Sequence, residues 1–250
     1  ALMMSRCRPR EYRFDRLRYL TQAGGSMTPA LTCQVQEAFP EAQLFVMYGQ
    51  TEATARLTYL PPERLAGKLG SAGIPVEGVT IDIRNERGES LLPGTAGEVW
   101  VSGPSVMLGY WRNPERTAEV LKDGWLRTGD LAYRDKEGYL YLQGRRDDMI
   151  KSGAHRISPY EIEEVISQID GVEEVAVVGM PDEILGQVVR AVIVPRPGET
   201  LERQTVCRHC LERLPAFKVP KEVQFVRGLP KTASGKVKRY MLGEQNPGRD

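Results

Sequence analysis

Hydrophobic and polar positions alternate in three different styles along this chain, and each style predicts a different local structure. Between residues 17 and 50 short apolar runs are separated by one amphipathic stretch. Leu17 to Thr21 reads as a strand, Gly24-Gly25 as a turn, and Thr28-Pro29 as an N-cap with proline at the first helical position, opening a helix to Ala38. Gln43 to Met47 is then an apolar strand running into Tyr48-Gly49. Strand, helix, strand is α/β alternation, for which parallel pairing is the expectation. From Lys68 to Gly144 the spacing shortens to strands such as Val79 to Arg84, Gly97 to Ser102 and Gly138 to Gln143, punctuated by glycine, proline and asparagine turns. This predicts a β-rich subdomain with one helix, Pro114 to Leu121.

Beyond Arg146 the period is helical again. Ser158-Pro159-Tyr160-Glu161 has capping-box spacing, and Ile162, Val165, Ile166 and Ile169 fall at i, i+3, i+4 and i+7, so one face is buried. Val172 to Val178, Val188 to Val194 and Glu222 to Val226 read as the strands it packs on. The predicted fold class is α/β plus α+β: an α/β segment and β-rich subdomain over residues 1–146, followed by a small α+β domain over 147–250.

Composition narrows the function. The 250 residues carry 34 Lys and Arg against 33 Asp and Glu, a net charge of +1, which supplies no general attraction to nucleic acid or anionic membrane. No apolar run approaches the roughly 20 residues of a membrane span. Four cysteines, Cys7, Cys33, Cys207 and Cys210, with no secretory leader suggest a reduced, cytoplasmic protein. Cys207 and Cys210 flank His209, but Val206, Cys207, Cys210, Leu211 and Leu214 form one helical stripe, which fits a core-facing helix better than a metal site. Six arginines among the first twenty residues are interleaved with Tyr12, Phe14, Leu17 and Leu20, the pattern of a packed element with a polar face. Ala1-Leu2-Met3-Met4 runs directly into periodic sequence with no initiator methionine, as though the reading began inside a larger protein.

Chemistry concentrates at four turns. Tyr48-Gly49-Gln50-Thr51-Glu52 presents an aromatic ring suited to a base, a hydroxyl suited to a phosphate oxygen and a carboxylate suited to Mg²⁺. The ordinary structural expectation for the same run puts Tyr48 in the core and Glu52 in solvent. Trp125-Leu126-Arg127-Thr128-Gly129-Asp130 ends in a carboxylate able to accept both hydroxyls of a ribose. Gly144 to Gly153 mixes glycine and charge at a domain boundary, and Pro230-Lys231-Thr232-Ala233-Ser234-Gly235-Lys236 holds a lysine on a glycine turn.

Together and in this order the four segments resemble the adenylate-forming superfamily of acyl-CoA synthetases, adenylation domains and luciferases. Gly97-Glu98-Val99-Trp100-Val101, Gly103-Pro104, Gly109-Tyr110-Trp111, Ser158-Pro159 and Glu161-Ile162-Glu163 match as well. The resemblance implies that Gly24-Gly25-Ser26 lies along adenine, Tyr48 stacks on it, Thr51 meets the α-phosphate and Glu52 holds Mg²⁺. It implies ribose binding by Asp130, ribose or phosphate binding by Arg145, and a hinge at Asp147 about which the C-terminal domain rotates. Lys236 then bridges substrate carboxylate and α-phosphate, and Lys151 lies on the face used in the second half-reaction. The implied chemistry is ATP-dependent formation of an acyl-adenylate from a carboxylic acid, followed by transfer to CoA, with His155-Arg156 near the acceptor. A carrier-protein phosphopantetheine as acceptor, or a non-catalytic remnant, are the alternatives. Members of the superfamily carry a Ser/Thr/Gly-rich phosphate loop upstream of the adenine loop. The 250 residues hold none, which reads as the C-terminal half of such an enzyme. Ala154 stands where many thioester-forming members have glycine.

Overall fold

The computed structural model describes residues 4, 7, 9–25, 27–232 and 235–243, and the chain divides into two compact units, residues 1–146 and 147–250. In the first, β1 (Tyr19–Gln22), helix α1 (Pro29–Ala38), β2 (Gln43–Gln50), β3 (Thr54–Leu60) and β4 (Ile74–Pro75) build a sheet in the order β1-β2-β3-β4. α1 starts where the sequence says it should: the Thr28 side chain accepts from the Leu31 N–H at 3.2 Å, and Pro29 has no N–H to leave orphaned. Its inner face meets Phe39, Leu44, Val46, Leu60 and Leu65.

The expectation of parallel pairing holds only for β1 and β2, which α1 connects; β2–β3 and β3–β4 are antiparallel. The cause is length. A parallel return needs a crossover of a dozen or more residues, and only a tight turn joins β2 to β3. β1 lies at the sheet edge, beginning and ending slightly later than its apolar run predicts.

A second sheet of this unit takes β5 (Thr80–Arg84), β6 (Gly97–Ser102), β7 (Leu121–Lys122), β8 (Trp125–Arg134) and β9 (Leu140–Arg145), all antiparallel, with helix α2 (Pro114–Val120) between β6 and β7. Strand period places Leu126, Thr128, Asp130 and Ala132 on the inner face of β8. That face joins a core of Ile83, Val99, Val101, Ala132 and Leu140 that also takes in Tyr48 and Leu57 of the first sheet. A carboxylate is thus carried inward by the same alternation that buries Leu126 and Ala132.

The second unit has β10 (Ile150–Ser152), β11 (His155–Ile157), helix α3 (Pro159–Ile166), β12 (Val172–Asp182), β13 (Gly186–Pro195), helix α4 (Arg203–Leu211), β14 (Glu222–Phe225) and helix α5 (Tyr240–Gly243). Its sheet runs β11-β10-β13-β12, with β14 parallel to β13. Ile162, Ile166 and Ile169 pack on Val177, Val189 and Ile193, and Val206, Cys210 and Leu214 of the α4 region close the core.

Two local expectations are corrected. Leu211 is exposed, because residues 206, 210 and 214 recur at i, i+4 and i+8 and point the next position away. Glu161 does not complete a capping box; it pairs with Lys218 at 2.6 Å, a partner that only the tertiary fold supplies. Among the described residues no helix is long and apolar enough to cross a membrane.

Candidate functional site

The first unit gathers most of the marked side chains at the carboxyl ends of its parallel strands. β1 and β2 pair from Tyr19↔Gln43 to Gln22↔Val46, so the Gly24-Gly25 turn and the Tyr48–Glu52 segment both lie toward that end. Open crevices of α/β sheets form there. Gln22 donates through Nε2 to the Gly25 carbonyl at 2.8 Å and holds the turn. Among the described residues beyond their chain neighbours, none comes within 4 Å of where a side chain on Gly24 or Gly25 would begin, so the turn offers bare backbone to a flat ligand. Ser26 lies outside the described residues.

Gly49 is required by sterics. The register shifts between Tyr48 and Gln50 as β2 meets β3, and a Cβ at position 49 would stand 2.3 Å from the Thr54 carbonyl oxygen. This close approach lets the chain turn at once after Tyr48. Thr51 then emerges exposed, and Glu52 half-buried.

Tyr48 behaves as core expectation says, with one addition. Its ring is 7% exposed in the shared core, and its hydroxyl donates to Asp130 Oδ2 at 2.7 Å. Residues 82 positions apart are thereby joined. Asp130 Oδ1 lies 3.3 Å from Arg145 Nε, the neighbour it faces across the β8–β9 pairing. Thr128 accepts the Asp130 N–H at 3.1 Å and donates to the Val99 carbonyl at 2.9 Å, so the backbone under the carboxylate is also held.

Burial raises the proton affinity of Asp130 above the ordinary carboxylate range, although the Tyr48 hydroxyl and Arg145 pull the other way. Burial and the Asp130 charge push the Tyr48 phenol well above 10, so Tyr48 stays a donor. An ionised carboxylate has about four acceptor directions, and the two contacts seen leave some for hydroxyl groups.

Glu52 is positioned by a residue for which the sequence suggested a family match but no role. The Tyr110 hydroxyl donates to Glu52 Oε1 at 2.9 Å, and the Met107 N–H donates to the Glu52 carbonyl at 2.8 Å. Burial, then the hydrogen bond to Glu52 and its charge, raises the Tyr110 phenol above its usual value. Oε2 makes no hydrogen bond with the described residues, so this carboxylate fits a hard cation through oxygen. The charge of Glu52 is felt at Asp130, and that of Arg145 at Tyr110. Tyr48, Glu52, Tyr110, Asp130 and Arg145 therefore form one electrostatic neighbourhood.

The second unit carries the remaining residues on two turns. Lys151 is exposed on β10, its backbone N–H donating to Gln187 Oε1 at 2.8 Å and its position facing Arg156 across β10–β11. Ala154 sits in the exposed turn, and the His155 ring stacks on Phe217 with centroids 3.9 Å apart and planes 6° from parallel. Lys236 is exposed at the end of a small hairpin closed by the Lys231↔Val237 bridge, in which Gly235 takes φ +84°. Asp147 is exposed in a single turn, Arg146–Asp148, at the division between the units. Arg146, the last residue of the first unit, lies 3.6 Å from the buried Glu98.

Known proteins match this chain over most of its length. Residues 2–111 match the family model of the AMP-binding enzymes, and residues 161–236 match that of the AMP-binding enzyme C-terminal domain. An oxalate–CoA ligase of Arabidopsis thaliana is 38% identical over 235 residues, 94% of this chain and 45% of that protein. An indoleacetate–CoA ligase of Aromatoleum aromaticum is 39% identical over 239 residues, 95% of this chain and 46% of that protein. The o-succinylbenzoate CoA synthetase of Bacillus subtilis, solved with an acyl-adenylate intermediate, superposes with a TM-score of 0.86 at 34% identity over 95% of this chain and 48% of its own. Other structures of that synthetase hold AMP, or ATP with a magnesium ion. This chain thus spans about half the length of the curated relatives it matches.

Proposed function

The chain belongs to the adenylate-forming family of AMP-binding enzymes, and on that premise we propose that it supplies the adenosine-binding and lysine-bearing parts of an ATP-dependent acid–thiol ligase. The acid and ATP give an acyl-adenylate and pyrophosphate, and a thiol then displaces AMP. The observation that carries this reading is the tied set Tyr48–Asp130–Arg145 beside Glu52.

Each residue has work that suits its surroundings. Asp130, already oriented by Tyr48, accepts the vicinal ribose hydroxyls, and Arg145 faces ribose or phosphate. The bare backbone of Gly24-Gly25 lies along the base. Tyr48 contributes an edge and its hydroxyl rather than a whole ring face, since so little of the ring is exposed. Thr51 donates to an α-phosphate oxygen.

Mg²⁺ bound with ATP screens phosphate charge, and Glu52, with one oxygen held by Tyr110 and the other available, is the residue to hold it. Lys236 is the cation for the attack itself. A carboxylate approaching a phosphate oxygen at 4 Å is opposed by about 4 kcal/mol at an effective dielectric of 20. An ammonium group placed between them reverses that sign. A hinge at Asp147 lets the second unit present the Lys236 turn for adenylation and the Lys151–Ala154 hairpin for thiol attack. The division of the chain at Arg146 and Asp147 supports this.

Free CoA is the proposed acceptor, because the curated relatives named above are CoA ligases. Pyrophosphate exchange across a panel of carboxylic acids by the complete protein tests the first half, with CoA and a phosphopantetheinylated carrier protein compared as acceptors for the second. Exchange with no acid on a broad panel would overturn the catalytic reading and leave a binding module.

A further inference from the structure

Lys236 is exposed, on a turn whose base is held by apolar packing and by ion pairs. Within it, Thr232 N–H donates to the Lys236 carbonyl at 2.8 Å, Gly235 N–H to the Thr232 carbonyl at 2.9 Å, and Lys236 N–H to Thr232 Oγ1 at 3.1 Å. These bonds shape the turn itself. Val237 seats the turn on an apolar cluster of Ala176, Val178, Val192, Leu229 and Leu242, and two ion pairs hold its feet. Before the turn, Lys231 Nζ contacts both carboxylate oxygens of Glu174 on β12, at 2.8 and 2.6 Å. After it, Arg239 grips Glu163 of α3 with two nitrogens, Nη2 to Oε2 at 2.9 Å and Nη1 to Oε1. The same Nη1 donates to the Val177 carbonyl at 2.9 Å, and Glu163 Oε1 also accepts the Val177 N–H. The guanidinium lies 4.7 Å over the Tyr160 ring, and its Nε is 3.8 Å from Asp148, beside the division between the units.

A buried ion pair is a poor way to gain stability, since its desolvation offsets much of the attraction and an apolar replacement of like volume often does as well. It is a good way to define one geometry, because a bidentate guanidinium–carboxylate pair has a single plane and a single direction. Arg239 is three residues from Lys236, roughly 10 Å of extended chain at most, so a tilt at this foot is carried to the tip.

Resting on the reading of Lys236 given above, we propose that Arg239 is a positioning residue: clamped on Glu163, it sets the direction from which the Lys236 ammonium is presented. It touches neither substrate nor nucleotide. Its pairing adds α3 to the β12 and β13 packing that already seats the turn, and so fixes the lysine's direction relative to that body.

The test compares Glu163→Gln and Arg239→Lys with Ile166→Val, which loosens the same core without touching the clamp. In amide exchange on the chain, Gly235 and Lys236 should exchange about 10-fold faster or more in Glu163→Gln, with β12 core amides unchanged, and to an intermediate degree in Arg239→Lys. Ile166→Val should leave the two turn amides near their original rates. In the complete enzyme the two clamp variants should lower kcat for adenylate formation about 10-fold with little change in KM for ATP. If the turn amides respond no more than in Ile166→Val, or only together with β12, the clamp is merely structural and the proposal fails. Should Glu163→Gln not fold, Arg239→Lys carries the same comparison, since a cation still faces Glu163. Normal turnover in Lys236→Ala would overturn the catalytic reading instead, while the exchange result would still decide the clamp.

Discussion

The two units solve opposite problems with charged side chains. In the first, Tyr48 and Asp130 are buried and tied to each other, the exposed Arg145 reaches Asp130 from the rim, and Tyr110 holds the half-buried Glu52. In the second, Lys151 stands in solvent on β10 and Lys236 on a short hairpin, and the Arg239–Glu163 ion pair proposed to orient Lys236 lies in the body beneath. The lesson concerns where orientation is stored. If Asp130 binds ribose as proposed, an acceptor held in advance loses little entropy on binding. On the proposed reading, Lys236 is a cation that arrives and leaves, which a rigid base and an exposed side chain serve. The first region accepts a desolvation penalty at the functional group itself, and the second keeps that penalty away from it.

This contrast can be broken by substitution. The largest effect is expected at the tip: Lys236→Ala in the complete enzyme should lower adenylate formation by 10²–10³-fold, about 3–4 kcal/mol, as for loss of a preorganised charge-stabilising group. Its melting temperature should be unchanged, because the side chain is exposed. Pyrophosphate exchange and calorimetry together read both outcomes, and a shifted melt would blur the contrast.

Gly49→Ala should do the reverse in the first unit. The new methyl meets the Thr54 carbonyl oxygen at 2.3 Å, and relief by backbone movement should cost on the order of 2–3 kcal/mol of stability, as overpacking does. Chemical denaturation of the chain checks this.

Asp130→Asn separates affinity from stability. Loss of hydrogen bonds to a charged acceptor should weaken AMP binding by roughly 1.5–3 kcal/mol, measurable by calorimetric titration of the complete protein. Stability at neutral pH should hold or rise. Burial raises the folded carboxyl's proton affinity above its reference value of 3.8, so the folded state takes up this proton more readily than the unfolded one. As pH falls through the raised value toward 3.8, Asp130 therefore adds stability, and as pH rises again the penalty returns. Denaturation midpoints of the two proteins across that window should converge at the acid end. If the asparagine variant were instead less stable at pH 7, the Tyr48 and Arg145 contacts would outweigh desolvation.

The smallest effect should come from Lys151→Ala: a several-fold slower thioester step, comparable to loss of about 1 kcal/mol, with adenylate formation unchanged. Following each half-reaction separately checks it.

Much of this was legible before any coordinates. The cap at Thr28-Pro29, the isoleucine stripe of α3 and the valine strands of the second unit are local signals, and they appear where period and capping place them. The candidate side chains were legible as types: an aromatic, a hydroxyl and a carboxylate after an apolar strand, a carboxylate after glycine, a lysine on a turn. Their partners were not. Nothing near Tyr48 in the chain announces Asp130, and Tyr110 was marked by its motif without any hint that it holds Glu52. Glu161 shows the same limit from the other side. Its spacing promised a local cap, and a lysine 57 positions away took it instead.

What the amino-acid order determined by itself is whatever is decided within a turn or two of chain: where helices begin, which strand face is apolar, which residues have chemistry to offer. Periodicity and capping are short-range, so they can be read directly. The tertiary structure alone decided which of those residues are paired, which carboxylate is desolvated, and that β3 returns antiparallel beside β2. Those outcomes depend on hydrogen bonds and burial between segments distant in sequence, whose geometry exists only once the core has closed around Leu57, Val99 and Ala132.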